Sequence, residues 1–341
     1  MKRFCLYLAS LAALSVAAWA QTAITSITTT SSTGTTTSAD TPAVNFENNV
    51  LAVNTFSTAT ANYKVAGIAD LAFVRRATGV DNPNQSSVWY RDGTVSGEQL
   101  GNYSTSYPAL MLQNNLNGGS DNTFANGTQG SHVAQDGNIE RLDFVFSGGM
   151  TASAAQVFAV FERGDVGVHD LFKIAVITGW DFVNNVPTSY GTLTGPSTSA
   201  DWGTSNVVGS SGYHLFRYNT GDNLTTSTAH SETGSQGVGG IMFTMAQLGI
   251  TPGTTIYGYS LFGNDVTDGG NSANLINYAN STYFPSNTSN ATGSGGIDLA
   301  TVNGVSFSVI PEASTYALGG VAAMIGAIVF HRRRAKRAAK A

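Results

Sequence analysis

The sequence predicts an all-β protein, folded as one large antiparallel β-sandwich of jelly-roll-like outline, and three observations carry that prediction. Apolar residues across 41–309 recur with a period of two, the signature of strands with one buried face. Clusters rich in Gly, Asn, Asp and Pro, such as "TGVDNPNQSS", "NGGSDN", "NTGDN" and "GNDVTDGGN", separate those runs as turns. Amphipathic helices and fixed-period repeats are both lacking, which argues against a β-helix or a propeller. About 270 residues without an internal linker suit a single domain of this class.

The elements follow in order. Lys2 and Arg3 open the chain, residues 6–18 are apolar, and Ala18-Trp19-Ala20 offers the small residues that signal peptidase requires. Residues 1–20 therefore read as a signal peptide cut before Gln21. An uncleaved anchor is the alternative, but the apolar core falls short of the ~20 residues of a membrane span. The only cysteine, Cys5, lies in this leader without the small-residue context of a lipoprotein signal. The mature chain then has no disulfide, no thiolate metal site and no cysteine nucleophile.

Residues 21–40, "QTAITSITTTSSTGTTTSAD", are nearly all Thr and Ser and read as a flexible segment, with a β-branched edge strand as the alternative. In the body, "IERLDFVF" places Leu142, Phe144 and Phe146 on one face and Arg141 and Asp143 on the other. "AQVFAVFERG" is apolar on both faces up to Phe161, as a central strand between two layers would be. "DLFKIAVIT" aligns Phe172, Ile174 and Val176 opposite Lys173, and "TTIYGYSLFG" aligns Tyr257, Tyr259 and Leu261. "TMAQLG" is a single helical turn with Gly249 as its cap. "GVSFSVI" aligns Val305, Phe307 and Val309 in a final strand that runs straight into the tail.

Charge excludes one class of partner. The whole chain carries −5, but residues 21–311 hold eight Lys plus Arg against twenty Asp plus Glu, a balance of −12. Nucleic acid affinity comes mainly from neutralising phosphates with Lys and Arg, so this body is no nucleic acid binder.

The tail, residues 310–341, contains "PEASTYALGGVAAMIGAIVFHRRRAKR". Residues 317–330 are fourteen without a charge, and a start at Ser314 makes seventeen, giving a short transmembrane helix over 314–330. The basic end, 331–341, follows at once, and flanking arginines stay on the cytoplasmic side, so the body lies outside. Pro-Glu, a Ser-Thr-Tyr-Ala approach, a glycine-containing apolar run and an arginine cluster together resemble the PEP-CTERM sorting signal. Pro311 and Glu312 match its recognition pair and Arg332, Arg333 and Arg334 its basic stop, while Ala313 stands where the family usually has proline. The resemblance covers about thirty residues and says nothing of the body. It implies processing by an exosortase, a membrane cysteine transpeptidase-like enzyme of Gram-negative bacteria that make extracellular polysaccharide. It also implies transient anchoring, then release to the cell surface or matrix. A single-pass anchor that is never processed is the alternative.

Candidate chemistry in the body is sparse. Glu140, Asp143, Glu162 and Asp165 include pairs that would suit glycoside hydrolysis, which needs two carboxyl groups ~5 to 10 Å apart. Their neighbours Arg141 and Arg163 point instead to surface ion pairs. His132, His169, His214 and His230 are dispersed, without a His-Glu-x-x-His pair or a Gly-x-Ser-x-Gly elbow. His169 and Asp170 are adjacent, and neighbours on a strand face opposite ways. "GVGG" and "GSGG" read as turns rather than phosphate loops. Asn264, Asp265, Asp268 and Asn271 offer the hard oxygen donors that calcium prefers, against their ordinary use in turns. Trp89, Tyr90 and Trp202 would serve as a sugar-stacking platform or as core aromatics.

No catalytic residue is assigned. The expectation is an exported, non-enzymatic surface or extracellular-matrix protein with a structural or adhesive role. Its partners would be signal peptidase, an exosortase-type processing enzyme, the membrane through the tail helix, and extracellular polysaccharide. A secreted glycan-active hydrolase and a lectin-like glycan-binding module are the alternatives.

Overall fold

The period-two patterns become sixteen strands among the described residues. The computed structural model describes residues 21–31, 34–37, 52–76, 87–91, 107–116, 118–124, 139–164, 168–202, 208–216, 229–285, 296–311 and 324. The signal peptide with Ala18 and Ala20 lies outside them. So do His132, Asp165 and, apart from Met324, the tail from Glu312 onward with Ala313, Arg332, Arg333 and Arg334.

The strands are β1 (Thr22–Ala23), β2 (Ser26–Ser31), β3 (Gly34–Thr37), β4 (Ala52–Ser57), β5 (Asn62–Ile68), β6 (Leu71–Arg76), β7 (Ser87–Arg91) and β8 (Gly118–Asp121). They continue with β9 (Ile139–Thr151), β10 (Gln156–Gly164), β11 (Phe172–Asp181), β12 (Val186–Tyr190), β13 (Val208–Phe216), β14 (Ala229–Thr244), β15 (Thr255–Gly263) and β16 (Val305–Val309). The larger sheet has the order β3-β2-β4-β5-β16-β10-β14-β13-β7-β8, with β1 also paired to β14. The smaller has the order β12-β11-β15-β9-β6. Neighbouring strands run antiparallel throughout the described residues.

The two sheets share a core because each strand offers one apolar side to the other layer. Leu142 and Phe144 of β9, Ile174 and Val176 of β11 and Tyr259 and Leu261 of β15 meet Phe158 and Val160 of β10 and Ile241 and Phe243 of β14. Ring centroids of Phe158 and Tyr259 lie 4.6 Å apart across the layers. Each large apolar side chain so buried contributes about 1.5–3 kcal/mol.

β10 is buried along its whole length, between β14 and β16. Its second face, Val157, Ala159 and Phe161, enters another cluster with Ile24, Ile27, Phe56 and Phe307 on the far side of the larger sheet. The smaller sheet likewise has a covered outer face, where Val145, Ile177 and Phe262 pack under Leu275 and Phe284 of the segment 264–285. That sheet curls strongly. Arg75 on the edge strand β6 donates to the carbonyl of Asn185 in the β11–β12 hairpin, and Phe73 lies 5.3 Å from Trp180.

Three local expectations need correction. The segment 21–40 is no flexible spacer where it is described: it supplies β1, β2 and β3. Ile24 and Ile27 are buried at 1% exposure, and the threonines pair across strands, Thr28 with Thr37 and Thr29 with Thr36. Branching at Cβ suits this pleated surface, and two isoleucines are enough to seat it. "GVGG" is no turn either, because Gly237 to Gly240 lie inside β14, opposite residues 161–164 of β10. Tyr257, expected beside Tyr259, packs on the opposite side with the outer cluster. A bulge between Ile256 and Gly258, with Gly258 at φ +124, shifts the alternation by one residue there. The "TMAQLG" turn closes as expected, with Gly249 at φ +71.

Candidate functional site

Strand register gathers the flagged acids at one end of the two layers. Phe172 lies level with Gly263, and Phe262 with Arg141. The start of β9, the approach to β11 and the turn after β15 therefore sit together. Alternation from Leu142 and from Val160 turns Glu140 and Glu162 toward the space between the sheets.

Glu162 is 1% exposed. Both its oxygens accept from the Asp170 N–H at 3.0 Å, and Oε2 lies 3.3 Å from His169 Nδ1. The His169 ring stacks at a tilt on Trp202, centroids 5.1 Å apart, and Trp202 Nε1 donates to the Asp170 carbonyl at 3.1 Å. Gly164 and Gly239 make room for the imidazole: a Cβ on Gly164 would stand 2.8 Å from Nδ1, and one on Gly239 would clash with Cε1 and Nε2. Burial, and then the charge of Asp170, hold the Glu162 carboxyl well above the usual glutamate range. His169 and Asp170 thus both converge on Glu162, because they precede β11 and do not alternate as strand residues.

Glu140 is 3% exposed, and its Oε2 is buried without a hydrogen-bond donor. Burial, aided by the nearby charge of Asp265, pushes its carboxyl up to about 8.

Arg163 points to the other side of β10. It donates to Asp121 at 2.6 Å, to Gln236 at 2.6 Å and to Asp298, while its guanidinium lies 3.8 Å from the Tyr213 ring centroid and 5.4 Å from that of Trp89. Asp143 occupies the outer face of the smaller sheet. It accepts from Arg141 at 2.7 Å, Arg75 at 2.9 Å and Ser260 at 2.7 Å, and Tyr190 bonds Ser260 at 2.9 Å. Arg141 also donates to the carbonyls of Leu275 and Ile276, at 2.7 and 3.0 Å. Glu140, Asp143, Glu162 and Asp165 were expected in surface ion pairs with Arg141 and Arg163. Of the four, Asp143 has arginine partners, and that group is buried rather than on the surface; Glu162 faces His169 instead, and Arg163 turns to Asp121 and Asp298, again under covering chain.

The calcium-loop residues are divided. Asp268 accepts from the Gly270 N–H at 2.8 Å, and Asn271 accepts from Ala273 at 3.1 Å to cap the 3₁₀ turn Ser272–Leu275. Asn264 and Asp265 stand in a turn closed by Val266 N–H on the Gly263 carbonyl at 3.2 Å. Among the described residues no three His, Cys, Asp or Glu side chains gather as metal ligands.

Trp89 and Trp202 are fully buried, so of the two readings they are core aromatics; the Tyr90 side chain, like those of His214 and His230, lies outside the described residues. The exposed aromatic surface is elsewhere. Phe182 and Val183, 46% and 89% exposed, form the tip of the β11–β12 hairpin. Phe182 lies 5.8 Å from Tyr257 and 6.5 Å from Trp180. Asp181 holds the tip in shape, accepting from the N–H groups of Val183 and Asn184 at 2.8 and 3.1 Å. The signal was present in "WDFVNNV": large apolar residues stand where a turn ordinarily takes Gly, Asn or Asp.

No family model, curated protein or solved structure matches this chain.

Proposed function

We propose that the chain is an exported, non-enzymatic surface or matrix protein whose tail is an address, read and then cut by an exosortase-type enzyme. The observation that carries this reading is the tail itself: Pro311-Glu312, a barely sufficient apolar run and a block of arginines. A short span suits temporary retention, and proline at the boundary keeps the helix from running through the cleavage region. The exit point of the chain supports it. Ile310 N–H still bonds the Asn62 carbonyl at 2.7 Å, and Pro311 next to it is exposed, so the recognition pair begins where the sheet ends.

The two stacked sheets are read as one jelly-roll-like sandwich, a rigid body for display. Burial of Glu140, Asp143 and Glu162 under other side chains supports a structural rather than a hydrolytic use of these acids. Intact-mass measurement of protein recovered from its own cell tests the proposal. The expected mature form lacks residues 331–341, and Pro311→Ala with Glu312→Gln leaves the chain inserted but uncut. A mature wild-type chain that retains 331–341 makes the tail an ordinary anchor.

The hairpin tip favours one second reading, glycan binding within the same matrix role. Aromatic faces stack on sugar rings, and Phe182 is exposed at the tip and backed by the buried Trp180 and the half-buried Tyr257. Affinity electrophoresis in the producing cell's own polysaccharide is expected to retard the wild-type body and to retard Phe182→Ala several-fold less. Equal mobility of the two would remove the hairpin from that role.

A further inference from the structure

The exposed hairpin tip and the exit of the chain lie at one end of the molecule. β11 runs from Phe172, level with Gly263, to Ile177, level with Gly258, so Asp181 and the 182–185 turn stand at the end where β15 begins. Thr255 there is level with Thr151 at the close of β9, and residues 152–155 cross to β10 in the other sheet. β10 starts at Gln156, level with Ser308, and Val309 N–H bonds the Ala155 carbonyl at 2.9 Å. The β4–β5 hairpin arrives at the same place, since Ile310 N–H reaches the Asn62 carbonyl.

Charge divides the two ends. Residues 57–62, 148–156, 182–185, 244–255 and 309–311 hold no Asp, Glu, Lys or Arg. Asp181 accepts from the tip's own N–H groups, and Lys64, exposed and level with Ser308, has the sign that suits anionic headgroups. Asp121, Glu140, Glu162, Asp170 and Asp298 gather at the opposite end. From Pro311 the uncharged run of the tail opens at Ser314, and three residues span at most about 11 Å. A headgroup layer is about 5–8 Å deep, so a tail that spans holds this end of the body against the bilayer surface.

We propose that Phe182 and Val183 form a wedge that inserts into the lipid interface of the membrane crossed by the tail. The proposal rests on reading the tail as a span. The two side chains are exposed at 46% and 89%, on a turn that Asp181 already holds in shape, so little ordering is needed on contact. Two side chains do not hold a protein on lipid alone; stable attachment takes a second signal, which the tail supplies. The wedge instead fixes the tilt of the body and keeps Pro311 at the boundary where the processing enzyme acts.

The test uses the full chain with Cys5→Ser, carrying one fluorophore on an introduced cysteine and reconstituted into phosphatidylethanolamine–phosphatidylglycerol vesicles. Val183→Cys is compared with Val168→Cys, a valine exposed at 62% just before β11 at the acidic end. Nitroxide on the shallow acyl carbons is expected to quench the label at 183 several-fold more than that at 168. Adding Phe182→Asp, with folding checked by near-ultraviolet circular dichroism, should abolish the difference. A chain that fails to float with the vesicles after an alkaline wash would overturn the span, and the wedge with it. A chain that floats with equal quenching at both positions would overturn the wedge alone, as would quenching at 183 that survives Phe182→Asp. Equal quenching together with weaker polysaccharide retardation of Phe182→Ala would assign the tip to glycan instead.

Discussion

At Glu162 the Asp170 N–H and the His169 ring do not offset the cost of burial, and the carboxyl keeps its proton above the ordinary glutamate value of 4.5. Asp170 is raised in the same direction by its own burial, and Asp298 adds a smaller repulsion from the neighbouring face. Between the unfolded and the folded values the native chain holds a proton that the unfolded chain has released. The stabilisation is therefore complete below about pH 4.5 and is lost as pH climbs toward the raised folded value. The thermal midpoint of the wild type should fall from pH 5 toward neutrality, and Glu162→Gln should flatten that slope. Identical slopes would remove Glu162 as the cause. Its residue type marked Glu162 as a candidate in the sequence. The burial, and the convergence of His169 and Asp170 on it, were not legible, because they follow from a non-strand approach to β11 and from room left by two glycines on neighbouring strands.

Among the elements, β10 is joined to two other strands and a loop segment by one side chain. Arg163 ties it to Asp121 at the end of β8, to Gln236 on β14 and to Asp298 on the segment that bridges them. Arg163→Met keeps most of the volume but strands two buried aspartates, and should cost about 3–5 kcal/mol in urea denaturation. Recovery on adding Asp121→Asn and Asp298→Asn would show that the uncompensated charges, rather than lost packing, were responsible. Strand alternation was readable: Leu142, Phe144 and Phe146, and likewise Phe172, Ile174 and Val176, all reach the shared core. The polar alternates were misread for one physical reason. A period of two says which face a residue is on, and it is silent about what covers that face. Arg141 and Asp143 face outward from their sheet and still lie at 0% exposure, beneath a segment whose Asn, Asp and Gly content reads as surface loop. The Thr-rich start went oppositely: low hydrophobicity favoured a flexible segment over the β-branched edge strand held as the alternative, and Ile24 and Ile27 seat that strand.

Over the whole molecule, β16 has the most consequential position. It is the last strand among the described residues, yet it lies between β5 and β10 near the middle of the larger sheet, with Phe307 level with Val65 on one side and Val157 on the other. A chain ending at Gly304 should lose cooperative unfolding, since it removes the strand whose backbone joins β3-β2-β4-β5 to β10-β14-β13-β7-β8 and leaves β1 and packing such as Phe56 on Phe161 to hold the halves together. A cooperative thermal transition at the wild-type midpoint would contradict this. Synthesis order and spatial order are thus opposed: the piece that locks the middle is made after everything it locks. A ribosome making the chain from its first residue handles a thread that cannot finish folding early. Strand order alone then acts as a timer that delays closure of the larger sheet.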